Sequence, residues 1–464
     1  MVGPYRVRLH AGFLLAATLT PFCRMKTNTI PHPRSAWRPL VAATVFVSGL
    51  ASALWSADGG SKPAWLSDLS VTAAQSYNSN VYGAEVSVPG FDPVADVESW
   101  VTTLSPKVTF DLKSALGIGD DAAISAFKVG YAGDYAFYWD DDAEDESHER
   151  HTITFALKTK SGAWSTTWDN AFLWVDGSES TPRYLRNSAY GNAMARERRE
   201  QFQDRAKFGI RYDDEQWFLR AVGNLLHYDL HTDHHVATGA YRGWQNFIDR
   251  HDANLGLDFG YKVQKDWAMT FGYRYGGQHQ GRMAWDARSN SSTYHRLLVG
   301  VEGKLAPWLK ADLTIGPDFR RYTADVRGIN DKNHTWLHTE GSLTADLSKA
   351  DSLTLTHKVW HWVSSTGTTA YRDSTYQLTY RHKFSSAFSA SVGARASGSD
   401  YDAPATRKDW LLGGSLGVKY DFSKQLSLTA DYVYVDTHNR LDEVLYPDRD
   451  FDQNLLTVAV RWAL

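Results

Sequence analysis

Along most of the chain apolar and polar residues alternate one by one, the period of a strand whose two faces meet different surroundings. The segment LGVKYDFSKQLSLTADYVYVD, residues 416–436, shows this within one hairpin. Leu416, Val418, Tyr420 and Phe422 share one face, and Gly417, Lys419 and Asp421 share the other. After the turn Ser423-Lys424-Gln425, Leu426, Leu428, Ala430, Tyr432 and Tyr434 stand opposite Ser427, Thr429 and Asp431. A hairpin of this kind fits a soluble sheet with a buried apolar face. It fits equally a membrane barrel whose apolar face meets lipid.

The rest of the chain decides between them. Trp267, Met269, Phe271, Tyr273 and Tyr275 alternate with Ala268, Thr270, Gly272, Arg274 and Gly276. Leu255, Leu257, Phe259, Tyr261 and Val263 alternate with Gly256, Asp258, Gly260 and Lys262, and 309–320 and 388–395 follow suit. In these segments charge falls on one face only. A lysine or arginine facing lipid costs about 2–4 kcal/mol at the bilayer midplane, which accounts for so strict a separation. Aromatic residues also collect at strand ends beside short turns, at Trp217, Trp267, Trp308, Phe384, Tyr420 and Phe422, where an interfacial girdle belongs.

Tight turns are expected at Ser161-Gly162, Asp213–Glu215, Gln264–Asp266, Ala306-Pro307, Ser348–Asp351, Ser385-Ser386 and Ser423–Gln425. Longer loops fall between them, at 177–198, 231–248, 281–290, 324–333 and 439–449. The expected fold is all-β, a transmembrane antiparallel up-and-down barrel over residues 67–464. It has about 18 strands, or 16 if one pair is misread, with short periplasmic turns and longer extracellular loops. Both termini are then periplasmic. The one helical pattern in the barrel region is 192–203, NAMARERREQFQ, read as a short helix in a loop.

Composition agrees: 24 Tyr, 18 Trp and 20 Phe, with 35 Gly and only 5 Met among 464 residues, argue against an ordinary soluble enzyme. A net charge of −4 carries no nucleic-acid signal. Near the N-terminus Lys26, Arg34 and Arg38 precede LVAATVFVSGLASAL, which contains the small-residue site Ala51-Ser52-Ala53; Trp55-Ser56-Ala57 is a second option. Residues 1–57 are therefore expected to be an N-terminal extension and a cleavable export signal, with Met25 as the natural start. Residues 58–66 then form a short periplasmic segment. The single cysteine, Cys23, lies before Met25, and Phe22 stands where a lipid-attachment site wants a small residue. The exported chain is expected to carry no disulfide, cysteine metal site or cysteine nucleophile.

The expected first strand, 71–83, contains Tyr77-Asn78-Ser79-Asn80-Val81-Tyr82. This run resembles the opening-strand pattern of the putative β-barrel porin 2 family of bacterial outer-membrane proteins, and the resemblance extends over about residues 67–464. It implies a pore-like barrel without catalytic residues to carry over; some members resemble barrels that sit beside exopolysaccharide synthesis and export systems. The last strand, NLLTVAVRWAL, is similar to the signal read by the barrel-assembly machinery, except that two residues follow its aromatic Trp462.

Four features bear on chemistry. The acidic run Asp140–Glu146 lacks the glycine and spacing of a calcium loop and reads as a solvated charge run. His231, Asp233, His234 and His235 lie in one loop, which rarely supplies a closed ligand set. His357 and His361 point the same way along a strand, too far apart for one metal. The fourth is the expected pore lining: Arg205, Lys207, Arg211, Arg220, Lys262, Arg274, Lys310, Arg320, Arg395, Lys419 and Arg461, against Asp258, Glu302, Asp312, Asp318 and Asp431. It would tune passage of charged solutes or stiffen the wall through ion pairs.

An enzyme is not expected, because His227, His279, His295 and His382 lack a serine or acid at a telling spacing. No cofactor is expected either. The function indicated is a porin-like channel for small hydrophilic solutes, anionic ones if the basic excess dominates. The alternatives are a barrel tied to exopolysaccharide export or assembly, and a non-conducting structural or adhesive barrel. Partners would be outer-membrane lipid and lipopolysaccharide, the assembly machinery and, in the second case, polysaccharide. The arginine-rich loop 177–198 is a candidate for folding into the lumen.

Overall fold

The computed structural model describes residues 62–81, 97–120, 122–140, 143, 147–176, 200–231, 249–280, 291–323, 333–363, 370–401, 407–441 and 450–464. Among these, eighteen strands form one antiparallel sheet. The first nine are β1 (Leu66–Asn78), β2 (Ser99–Asp111), β3 (Ile124–Tyr138), β4 (His148–Ser161), β5 (Trp164–Asp176), β6 (Glu200–Asp213), β7 (Trp217–His231), β8 (Arg250–Gln264) and β9 (Trp267–Gln280). The rest are β10 (Ser292–Ala306), β11 (Leu309–Tyr322), β12 (Asn333–Asp346), β13 (Asp351–Val363), β14 (Ala370–Lys383), β15 (Phe388–Tyr401), β16 (Arg407–Asp421), β17 (Leu426–Leu441) and β18 (Phe451–Ala463). Each pairs with its sequence neighbours, and β1 also pairs with β18, so the sheet closes on itself. Closure removes the outermost free edges that a hydrocarbon phase would not tolerate, although the β12–β13 ladder itself stops at Glu340↔Lys358.

All seven tight turns expected from the sequence join consecutive strands at one end of the barrel. At that end β2 and β3 are joined instead by a short helix, α1 (Leu112–Ala115), which the alternation did not foreshadow; Asp111 caps it by accepting from the Ser114 N–H. The opposite end carries the long loops, which lie outside the described residues for most of their length. Two strand expectations need correction. The first strand runs from Leu66 to Asn78 rather than 71–83, because the polar motif after Asn78 leaves the sheet. Residues 200–203 of the expected helix open β6 instead, and 192–199 lie outside the described residues.

The outer surface is the apolar face read from the alternation. Leu255, Leu257, Met269, Phe271, Tyr275, Val392, Leu416, Val458 and Val460 are all exposed although large and apolar. A continuous belt of this kind suits hydrocarbon, not water. At the short-turn end, rings pair edge to face or tilted: Tyr420 with Phe422 at 4.9 Å, Trp164 with Tyr212 at 5.0 Å and Tyr212 with Trp217 at 5.5 Å.

Candidate functional site

The inner face of β6–β10 carries a connected charge network. Arg211 makes two hydrogen bonds to Asp213 and a third to Glu302 Oε1 at 2.8 Å. Glu302 Oε2 accepts from Arg220 at 2.9 Å, and Arg220 also pairs with Asp258. Asp258 in turn takes Arg274 Nη1 at 2.6 Å, while Lys262 pairs with Asp213 at 3.3 Å. Seven groups from five adjacent strands are thereby linked. The Phe218 ring is fully buried beneath the network, with the Arg211 guanidinium 3.6 Å from its centroid.

Glycines make this packing feasible. Phe218 on β7 faces Gly260 on β8, where an added Cβ would lie 2.0 Å from a ring carbon. Higher on the wall, Tyr294 on β10 crosses Gly276 on β9 to donate to Asp252 on β8 at 2.9 Å. The glycines of the alternating pattern are thus slots for long side chains from neighbouring strands.

Around Tyr294 lies a second cluster, and it is drier. Asp318 and Arg320 are completely buried and pair at 3.2 Å; Arg296 reaches Asp318 at 2.6 Å. Arg320 donates to Gln278 Oε1 at 2.6 Å. The Gln278 amide donates to Asp252 at 2.8 Å and to the main-chain oxygen of His361, on β13, at 2.9 Å. Arg320, Asp318 and Asp258 were expected to line the pore, but they are buried within these ion-pair clusters, at 2%, 0% and 3% exposure.

The remaining expected lining residues are placed as follows. Arg205 donates to Gln203 and Tyr228. Arg461 pairs with Asp68 at 3.5 Å, and Lys419 with Asp421 at 2.8 Å. Arg395 donates to the Ser397 hydroxyl and makes no ion pair among the described residues. Lys207, Lys310, Asp312 and Asp431 also have no ion-pair partner among the described residues, and Lys207, Lys310 and Arg395 are exposed.

The Tyr77–Val81 motif closes the barrel at the long-loop end. Gln453 on β18 donates to Asn78 Oδ1 and to the Asn80 main-chain oxygen, both at 2.8 Å. Asn80 is buried, the Tyr77 hydroxyl donates to Glu98, and Val81 N–H reaches Val97 O. Tyr82, the HTDHH loop beyond His231, the loop 177–198 and most of the acidic run lie outside the described residues.

Two histidines do have partners that spacing did not reveal. His382 Nδ1 lies 2.7 Å from Asp351, and His279 Nδ1 lies 3.3 Å from the Ser291 hydroxyl. Asp351 also accepts from Ser348, whose hydroxyl takes the N–H groups of Ala350 and Asp351. At Asp351, Ser348 and His382 both address the aspartate rather than each other. That is a turn cap, not a nucleophile with its base.

A family model described as putative β-barrel porin 2 matches residues 186–464. Among solved structures the chain is similar to OccK11 (OpdR) of Pseudomonas aeruginosa, at 14% identity over 86% of this chain and 96% of that one, with a TM-score of 0.40. OccAB4 of Acinetobacter baumannii matches at 12% identity over 86% and 98%, with a TM-score of 0.42. OpdK of Pseudomonas aeruginosa, solved with vanillate, matches at 12% identity over 86% and 100%, with a TM-score of 0.40. No curated protein matches the chain.

Proposed function

The chain belongs to the putative β-barrel porin 2 family and is a porin-like barrel, and on that premise we propose that it passes small hydrophilic solutes, anions in preference, across the outer membrane. The observation that carries the preference is a mismatch in the lumen. Asp213, Asp258 and Glu302 are each neutralised by arginine, whereas three exposed cations, Lys207, Lys310 and Arg395, have no ion-pair partner among the described residues, against two exposed carboxylates, Asp312 and Asp431, in the same condition. Unmatched cations on a wet wall favour anions at close quarters.

In this reading the barrel acts by passive diffusion and is not an enzyme. The short turns and both termini face the periplasm. Residues 1–57 direct export, starting at Met25; residues 58–66 follow as a periplasmic segment; and the C-terminal strand addresses the barrel-assembly machinery. Outer-leaflet lipid and lipopolysaccharide cover the belt that includes Leu255 and Leu416. Reversal potential in a planar bilayer under a KCl gradient tests the selectivity. Chloride preference is expected for the native barrel, reduced when Lys310 and Arg395 become glutamate. A cation preference in the native barrel overturns the anion assignment.

A further inference from the structure

β12 and β13 part company halfway up the wall. Their pairing runs from Asp346↔Ser352 to Glu340↔Lys358 and stops there. Both strands continue, β12 against β11 up to Asn333 and β13 against β14 up to Val363. Above Glu340, then, β12 has a strand neighbour on one side only.

The upper part of β13 has moved to the inside. Lower down, Leu355 on its odd-numbered face is exposed, as a lipid-facing residue should be; Val359 and His361, on the same face, are 7% and 1% exposed. The His361 ring sits 4.8 Å from Trp336 of β12, and its main-chain oxygen accepts from Gln278 of β9. At the tip of β11, Tyr322 packs on Ala370, the first residue of β14. This segment therefore lies inside the wall, against Gln278 of β9 and Trp336 of β12. It narrows the lumen.

This position leaves unmet demands. Unpaired strand edges are strongly disfavoured within a bilayer. Trp336 Nε1, His338 Nδ1 and both ring nitrogens of His361 are buried without a hydrogen-bond partner among the described residues. Continuing the observed register past Glu340↔Lys358 would set Thr339 against Val359 and Leu337 against His361. That would restore the ladder and return Val359 and His361 to the outer face. The tucked strand gains buried packing and the Gln278 bond, whereas the zipped strand gains main-chain pairing. Opposed terms of this sort are what a two-position element requires.

We propose that Val359–Val363 of β13 is a gate: tucked against β9 it constricts the lumen, and zipped onto β12 it widens it. The proposal rests on the channel reading above. A gate in the wall does not depend on the long loops.

Cysteine pairs test it in the full-length barrel, whose residues 67–464 contain no cysteine. Gln278→Cys with His361→Cys can be joined only in the tucked position, since β10, β11 and β12 otherwise separate them. Leu337→Cys with His361→Cys can be joined only in the zipped position, because β12 now stands between them. Thr344→Cys with Thr354→Cys, whose native hydroxyls are 3.4 Å apart, is the control. Linkage is read by gel mobility after a short bifunctional thiol reagent, and conductance is read separately.

Both test pairs are expected to link in the folded barrel, the tucked lock conducting several-fold less than the zipped lock, with reagent-free barrels in between. If the zipped pair stays unlinked while the control links, or if the two locks conduct equally, the gate is overturned. Linkage of both pairs with no conductance in any barrel, the native one included, overturns the channel reading and leaves the two strand positions standing.

Discussion

Arg211 on β6 and Glu302 on β10 form an ion pair at 2.8 Å although β7, β8 and β9 lie between their strands. Four strand spacings amount to roughly 19 Å along the wall, too far for these two side chains to bridge over a flat or convex surface. The pair exists because the charged face is the concave one. It settles the inside of the barrel independently of the apolar belt.

Glu302 holds two arginines at once, so Glu302→Gln leaves each with one carboxylate fewer. A loss of about 1–3 kcal/mol is expected for charged hydrogen bonds of this kind, seen as a lower temperature for the heat-induced mobility shift of the folded barrel. Anion preference should rise in the same variant. An unchanged transition would mean that the network contributes nothing to the wall.

Gly260 is a slot for Phe218. Gly260→Ala places a methyl group on the ring and should cost about 1–3 kcal/mol, as overpacking does. Phe218→Ala in the same chain should recover part of that loss. If Gly260→Ala behaves as wild type, the ring is not confined as described.

The barrel seam depends on Gln453, which binds both Asn78 and Asn80 from β18. Gln453→Leu removes the donor and should speed amide exchange at the upper ends of β1 and β18 while leaving the β8–β9 pair unchanged. Equal protection in both variants contradicts the clasp.

Leu416 and Ser415 are chain neighbours on opposite faces of β16, and Leu416 is exposed on the outer belt. Leu416→Arg faces lipid and should cost about 2–4 kcal/mol near the midplane, reducing the heat-modifiable form recovered from membranes. Ser415→Arg points inward and should assemble normally. Equal assembly of the two would reverse the assignment of faces.

The sequence was informative wherever a single strand and its own turn decide the outcome. Alternation in 255–263, 266–276 and 416–436 placed each side chain on the face it occupies, because burial or lipid contact repeats every second residue. The positions of the tight turns, such as Ser423–Gln425, were legible in the same way. Relationships between distant strands were not legible. Nothing in residues 357–362, HKVWHW, signals that Val359 and His361 leave the outer surface, since the alternation continues unbroken while the strand as a whole shifts. The burial of Arg320 is the same event seen from β11. The Arg211–Glu302 pair depends on curvature that no single strand encodes. Phe218 did carry a cue, an aromatic on the charged face directly after Trp217, and the four-residue helix α1 had a cap at Asp111.

The central claim is that this wall encloses a conducting path. Purified barrel inserted into a planar lipid bilayer is expected to give uniform, stable, ohmic current steps, with a zero-current potential in a KCl gradient of the sign set by chloride. Insertion that is confirmed by the heat-modifiable form but gives no current steps at any voltage would contradict it, and would leave a structural or adhesive barrel in its place.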